Sequence, residues 1–486
     1  MLHLQQYYAN ILIEKMQYIK GKTMKKIIAT AILVSLVGIN FMPALAVETN
    51  TPKQFKSMVK KDKKVSDDYK FAYINMDWWE NFNDDILTGY IEKAVINNYD
   101  LKMATLNVDE YYQNVKLQFA NELPQLTVAG GGGLNKMPGM TKTSAGYGVP
   151  AIVSYEADIF LKNRDKTKSV KKLYEGSKLD ERAAYIAIAS AVGAVYLNIV
   201  NLDKVIELQE KIVNIRQEIY NLFLKRNKEG LTSTADTIKA NKALVAGQTD
   251  LIELQKQRKQ LLNQLCVLIG ESPENAETLK RASIDDINWE LVVPEEISSE
   301  IIVQRPDYMK AELMVEKAGI DVRVARKEFL PSITLSGLAL FGSSELGNLF
   351  STKDMLASLG GGLILPLFTG GARIANLKLK KATYERILQN YYKTNLTAIQ
   401  EVNDALVASK LDRDKMAQTV EQYNLEKKDF GYSEKKYNQG VISKLDLIQY
   451  QENLLTIEKL VAMQKVECMA DSISLYKATG SKPYNN

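Results

Sequence analysis

The sequence predicts an α+β membrane protein made of one unit written twice: a helix, two strands, then a long helical hairpin. Three observations predict it. The string "NKEGLTSTAD" at 227–236 returns as "YNQGVISKLD" at 437–446, an offset of 210. Long stretches carry apolar residues at alternating spacings of three and four among Lys, Glu and Gln, the stripe of helices packed lengthwise on one another. Four shorter segments alternate apolar and polar residues, the period of a strand with two unlike faces.

The offset nearly holds elsewhere. "ELPQLTVAGGG" (122–132) echoes "FLPSITLSGLA" (329–339), and "ADIFLKNR" (157–164) echoes "LPLFTGGAR" (365–373) with Phe160 matched to Phe368. Three blocks in one order indicate a duplication. It divides the chain into a linker (47–76), a first repeat (77–270), an intervening segment (271–305), a second repeat (306–479) and a tail (480–486).

Ahead of these stands a leader. From Met24 two lysines precede an uncharged apolar run, Ile27 to Ile39, and then Ala44-Leu45-Ala46. This is the pattern of a secretory signal with small residues at the cleavage site, so 1–46 is expected to be removed, with 1–23 an upstream extension. Without it the chain holds 58 basic and 57 acidic residues, a balance that gives nucleic acid no clustered basic face. The single histidine, His3, also leaves with the leader. What remains can build neither a Ser-His-Asp nor a Cys-His nucleophile pair, nor a histidine zinc site. Cys266 and Cys468 are too few for a disulfide framework and too far apart for a metal knuckle. "KGKT" at 20–23 resembles the end of a phosphate loop, but Met16 stands where its first glycine belongs. No catalytic residue, cofactor or metal is expected.

The helices are expected at 84–122, 165–228, 234–270, 306–329, 374–437 and 443–478. A helix of about 64 residues is about 95 Å long, too long to fold back on a compact core. Ala183 to Leu202 is uncharged and long enough to span a membrane. Its Ala184, Ala187, Ala191, Ala194 and Asn198 form a seam of small residues, however, and the stripe continues through Val205, Leu208, Ile212, Ile215 and Ile219 among charged neighbours. That continuation reads as coiled-coil packing in water. Near the end Leu447, Tyr450, Leu454, Ile457 and Val461 form a similar stripe that Gln464 interrupts.

The strands are expected at about 124–133, 147–159, 332–342 and 355–368. In 147–159, Tyr147, Val149, Ala151, Val153, Tyr155, Ala157 and Ile159 share one face, with Gly148, Pro150, Ile152, Ser154, Glu156 and Asp158 on the other. Such segments fit a membrane β-barrel and equally a half-buried soluble sheet. In lipid a barrel must close, and four strands fall short of the roughly eight that closure takes, so several chains would share one barrel.

Several stretches together resemble a known family. They are "DWWENFNDDILTGYIEKA" (77–94), "YEADIFLKNR" (155–164), "QRPDYMKAELMVEKAGIDVRVARKEFLPSITLSG" (304–337) and "LPLFTGGARIAN" (365–376). In this order they resemble the outer-membrane factors of bacterial tripartite efflux pumps and type I secretion systems, the TolC and OprM/NodT-like proteins. The resemblance covers nearly the whole mature chain. It implies a homotrimer with a 12-stranded barrel in outer-membrane lipid and a long periplasmic α-helical barrel. It also implies a passive exit duct that works with a periplasmic adaptor (membrane fusion) protein and an inner-membrane pump of RND or ABC type. One departure is that Val47, not a lipidated cysteine, follows Ala46. The bland alternative is an envelope coiled-coil spacer or adhesin, which has no need of amphipathic strand pairs.

The two repeated strings are then the turns of the helical hairpins. Gly230 and Gly440 end helices, and Ser443 and Ser233 or Thr234 start the next ones. With Leu231, Val441 and Ile442 they form the expected adaptor-docking tips. By the resemblance Asp236, Asp446 and Tyr437 belong to a pore gate, with the aspartates one to two turns into the returning helices and raising one another's pKa as carboxylate rings. Ile442 stands where that family has a gate arginine, and Gln449 where it has a second aspartate.

Overall fold

In the computed structural model the described residues are 78–135, 144–289 and 299–479. The leader, the linker, the tail and part of the intervening segment lie outside them. Seven long helices and five strands occur among the described residues: α1 (Asp85–Asn97), α2 (Tyr99–Ala120), β1 (Gln125–Val128), β2 (Gly131–Asn135), β3 (Ser144–Ala157), α3 (Lys162–Lys228), α4 (Thr234–Leu268), α5 (Pro306–Lys327), β4 (Ser332–Ser343), β5 (Met355–Ile364), α6 (Ala372–Asn438) and α7 (Lys444–Thr479). The chain divides into a sheet unit, formed by residues 117–164 and 326–373, and a helical unit that takes in the other described residues.

The sheet is antiparallel throughout. Its order is β1–β3–β4–β5, with β2 also paired to β3. The expected first strand, 124–133, is therefore two strands. Both keep one register, since Val128 pairs Ala151 and Gly131 pairs Gly148. The interruption lies opposite Pro150, whose carbonyl accepts from Ala129 N at 3.0 Å but whose nitrogen has no hydrogen to return. The last strand ends at Ile364 rather than 368, because its final partner is Ser332, the first residue of β4. Apolar alternation continues past that end through Leu365 and Leu367, which is why the sequence suggests a longer strand.

Register settles which residues share a face. Leu126, Val153, Gly337 and Leu359 fall in one row, and Val128, Ala151, Ala339 and Ala357 in the next. Tyr155, Leu335 and Gly361 make a third row. Apart from Ser343, which pairs Tyr147 at one end, the rows on this side are apolar or glycine. The opposite side carries Gln125, Ser154 and Ser336 in one row and Glu156, Thr334 and Gly362 in another. The sheet is thus amphipathic at the end where its strands join the helices, while further along the second side carries Ile152 with Leu338 and Pro150 with Leu340 and Leu356. Leucines are left exposed on the apolar side, Leu126 at 66% and Leu359 at 91%.

In the helical unit the main core lies where α1 and the short 3₁₀ turn Trp78–Phe82 meet α3, α4 and α7. Trp78 stacks on Tyr476 at 5.2 Å between ring centroids. It also crosses α3 at Gly193, where a Cβ would stand 2.9 Å from the indole and 3.2 Å from Ile473. Only glycine fits that approach. Tyr196 is fully buried, donates to Asp84 Oδ2 at 2.7 Å and accepts from Ala282 N at 3.0 Å. Asp84 in turn caps α1 through Ile86 N and Leu87 N. Burial and this bond to a carboxylate push the Tyr196 hydroxyl far above its ordinary pKa.

The stretch 183–202 is this core. It belongs to the one described helix long and apolar enough to cross a membrane, but Tyr185, Ile188, Val192, Tyr196, Ile199 and Val200 are buried inside the helical unit. The seam of small residues lies on the opposite strip, where Ala187 and Asn198 are exposed. The packing of this helix within the chain therefore uses a different strip, its large residues together with Ala189 and Gly193, while much of the expected seam faces outward.

The single helix expected over 84–122 is broken at Asn98. That residue's own N–H returns to Ala94 O at 2.8 Å, its Oδ1 accepts from Leu101 N at 3.0 Å, and its Nδ2 donates to Leu268 O at 2.9 Å. One asparagine ends α1, caps α2 and pins both to the end of α4. Just ahead of the second repeat the buried Arg305 does comparable work. It bonds Asp307 through Nε at 3.0 Å and Nη2 at 2.7 Å, reaches Ala478 O at 2.7 Å and pairs with Glu401. Pro306 opens α5 as expected, and Asp307 in its first turn also accepts from Tyr308 N at 2.9 Å. Gln464, which interrupts the α7 stripe, is 1% exposed and faces Asp412 across the hairpin.

Candidate hairpin-turn site

The two turns are built alike, residue for residue. After α3, Gly230 N bonds Asn227 O at 3.0 Å and Leu231 N bonds Arg226 O at 2.8 Å. After α6, Gly440 N bonds Tyr437 O at 2.9 Å and Val441 N bonds Lys436 O at 2.8 Å. The glycines have φ +73° and +72°. This is the Schellman end of a helix, in which the residue after the last turn must be left-handed.

The returning helices start alike as well. Ser233 Oγ accepts from Asp236 N at 3.1 Å and donates to Asp236 Oδ2 at 2.7 Å. Ser443 Oγ accepts from Asp446 N at 3.2 Å and donates to Asp446 Oδ2 at 2.7 Å, and that oxygen also accepts from Ser443 N at 3.0 Å. Both serines cap their helices, and at Ser443 the return bond from its N–H completes a capping box with aspartate in the place of glutamate. Ser233, not Thr234, is the cap. Asp236 and Asp446 lie at the third position of their helices, within the first turn and not one to two turns further on. The serine hydroxyl and backbone amide hold the Asp446 carboxyl below its ordinary pKa. Within one chain this is opposite to the rise expected of a carboxylate ring.

Both aspartates are exposed, as are Ser233 and Ser443. Leu231 and Val441, at the apex of each turn, are 64% and 67% exposed. Ile442 is half-buried. Tyr437 lies in the last turn of α6, 37% exposed, near enough to Lys444 to act on its charge. The first turn carries a tie that the second lacks: Asn227 Nδ2 donates to Thr232 O at 2.8 Å. Tyr437 and Ile442 occupy the matching positions 210 residues later.

The hairpins meet through α3 and α7. Leu208, Ile212 and Ile215 of α3 pack on Ile448 and Leu455 of α7. Lys444, the first residue of α7, pairs with Glu218. Arg216 bonds Glu452 Oε1 through Nε at 2.9 Å and Nη2 at 2.8 Å, and donates Nη1 to Ala243 O of α4 at 3.1 Å. One turn or two further along, Lys459 donates to Gln209 Oε1 at 3.1 Å and Gln209 Nε2 to Gly247 O at 3.0 Å. Two polar threads thus run from α7 through α3 to α4, and burial holds the Lys459 ammonium below its ordinary pKa. The apolar members on α3 are legible in the sequence as a stripe; the polar threads are not. The signal available was Arg216 standing between Ile215 and Ile219 of the stripe, but its partner lies 236 residues away.

Comparison with known proteins places these elements. The profile of the family described as outer membrane efflux protein matches residues 90–271 and 297–481. The toluene efflux pump outer membrane protein TtgC of Pseudomonas putida is 27% identical over 414 residues, covering 84% of this chain and 85% of that protein. The cation efflux system protein CusC of Escherichia coli is 25% identical over 411 residues, covering 84% and 89%. The crystal structure of the Campylobacter jejuni CmeC outer membrane channel has the same fold, with a TM-score of 0.77 at 24% identity over 88% of this chain and 93% of that one.

Proposed function

Because the chain belongs to the outer membrane efflux protein family, and so is a passive channel component of the outer membrane and not an enzyme, we propose that three copies of it close a 12-stranded barrel in the outer membrane. The helices then form the periplasmic tunnel of a tripartite efflux system, and the two hairpin turns form its gate. The observation that carries this reading is the sheet. It is four strands wide, largely apolar on one face, and its outer strands β1 and β5 each pair on one side only among the described residues. In lipid such edges leave backbone groups without partners, so the sheet has to be completed by copies of itself. Two copies reach the smallest barrels, of about eight strands; the family resemblance favours three.

In the trimer the exposed aspartates come in sets of three. Asp236 and Asp446 narrow the pore and draw cations, with Tyr437 beside them. The serine caps aim both carboxylates from the first turn of each helix, and at Asp446 they favour the ionised form. Leu231, Val441 and Ile442, with Gly230, Ser233, Gly440 and Ser443, present apolar knobs on a polar rim to the helices of a periplasmic adaptor. Engagement of the adaptor, with the inner-membrane pump behind it, separates α7 from α3 and opens the tunnel by a helix shift. Energy comes from the pump alone.

Conductance of the purified protein in planar bilayers tests this. The wild type should pass small, cation-selective currents, and Asp236→Ala with Asp446→Ala should enlarge them and weaken the selectivity. Silence of wild type and variants alike would refute a channel.

A further inference from the structure

At the end of the sheet where β3, β4 and β5 join their helices lies a cavity of about 340 Å³. Phe160, Leu330 and Ile364 form the apolar part of its lining, and Lys162, Lys327 and Arg373 line it together with the carboxylates of Glu156, Asp158 and Glu328. Lys162 pairs with Glu156 at 2.6 Å, and Lys327 donates to Leu161 O at 3.1 Å. Arg373 differs. Its Nη1 is closed off from solvent with no hydrogen-bond partner among the described residues, a costly state for a charged donor.

The two repeats show what is missing. At the start of α3 the Asp158 carboxylate accepts from Asn163 N at 3.1 Å and Arg164 N at 2.8 Å. Aligned at the offset of 208, the second repeat has Pro366 in that place, and the first turn of α6 contains no acidic residue. The chain supplies a carboxylate at one helix start and, at the other, an arginine with an empty donor. We propose that this cavity binds an amphiphilic organic anion, its carboxylate on Arg373 and its apolar body along Phe160, Leu330 and Ile364. Glu156 and Ile364 belong to the polar side of the sheet, since they share its rows with Thr334 and Ser332. On the channel reading, on which this step rests, that side faces the lumen, so the occupant is a solute in passage and not a bilayer lipid.

Calorimetric titration of the purified protein in amphipol tests this, using decanoate, decanol and acetate. Decanoate should saturate one site per chain, with decanol and acetate at least about 10-fold weaker, the worth of a charge-assisted bond or of the apolar wall. Arg373→Gln should weaken decanoate about 10-fold or more and leave decanol unchanged, with Arg373→Lys in between. Phe160→Ala, which leaves the arginine in place, should weaken decanoate and spare acetate. No saturable decanoate binding, or equal binding by all three variants, would overturn the site. Phospholipid that copurifies with wild type, is lost in Arg373→Gln and resists decanoate would overturn the solute assignment. Decanoate binding without bilayer current would sink the channel and leave the cavity standing; current without binding would do the reverse.

Discussion

Removing Arg216 should part the two hairpins. The arginine makes two charge-assisted bonds to Glu452 and one to the Ala243 carbonyl, and the side chains are 25% and 14% exposed. Breaking a fully buried pair costs about 3–5 kcal/mol, because the surviving charge is stranded, whereas an exposed pair is worth about 0–1 kcal/mol. With Glu452 nearly enclosed and Arg216 partly wet, Arg216→Ala should cost about 2–3 kcal/mol in the contact of α7 with α3 and α4. That is roughly 30- to 150-fold in the equilibrium between packed and parted hairpins. The apolar contact of Ile212 and Ile215 with Ile448 remains, so the protein should still fold. The assay is single-channel recording in planar bilayers, where Arg216→Ala should raise open probability by that order. Arg216→Lys should recover part of the closure and Glu452→Gln should resemble the alanine variant. Open probability unchanged in Arg216→Ala, with the bond's loss verified by a double-mutant cycle against Glu452→Ala, would refute closure by α3–α7 contact.

Three further outcomes are expected. Gly193→Ala drives a methyl against Trp78 and Ile473 within a packed core, so stability to thermal unfolding should fall by about 1–3 kcal/mol, while Gly89→Ala, in open space, should not lower it. Ser443→Ala removes the hydroxyl that caps α7 and lowers the Asp446 carboxyl. It should destabilise by about 1 kcal/mol and move the pH midpoint of cation selectivity upward, read from bilayer reversal potentials. Asp471, pushed up to about 7 by burial and by the charge of Asp412 across the α6–α7 hairpin, binds its proton more tightly folded than unfolded. The stability linked to it is therefore complete below about pH 4, the unfolded carboxyl value, and is lost as pH rises through 7. Asp471→Asn should flatten the decline in melting temperature across that window; an unchanged slope would contradict the assignment.

What the sequence revealed was what depends on nearest neighbours along the chain. Schellman glycines and capping serines act over three to six residues, so "EGLTSTAD" and "QGVISKLD" read directly as turns. The strand faces followed from a period of two. What escaped depended on partners far off in sequence. Pro150 splits the first strand only because β1 and β2 lie against it. Asn98 breaks a helix because Leu268 offers a carbonyl 170 residues away. The end of β5 was invisible because apolar alternation persists through Leu365 and Leu367, where β4 has no residue left to pair. Asp236 and Asp446 stand in the first turn, not one to two turns along, because the serine three residues earlier in each string caps the helix. Arg216, between two isoleucines, gave no sign of Glu452.

On the proposed function one chain holds a third of a closed membrane barrel. Native mass spectrometry of the protein released from lipid nanodiscs counts the chains directly. A barrel closed by three copies requires a particle of three chains, with no population of one; a single chain as the stable membrane-embedded species would contradict it.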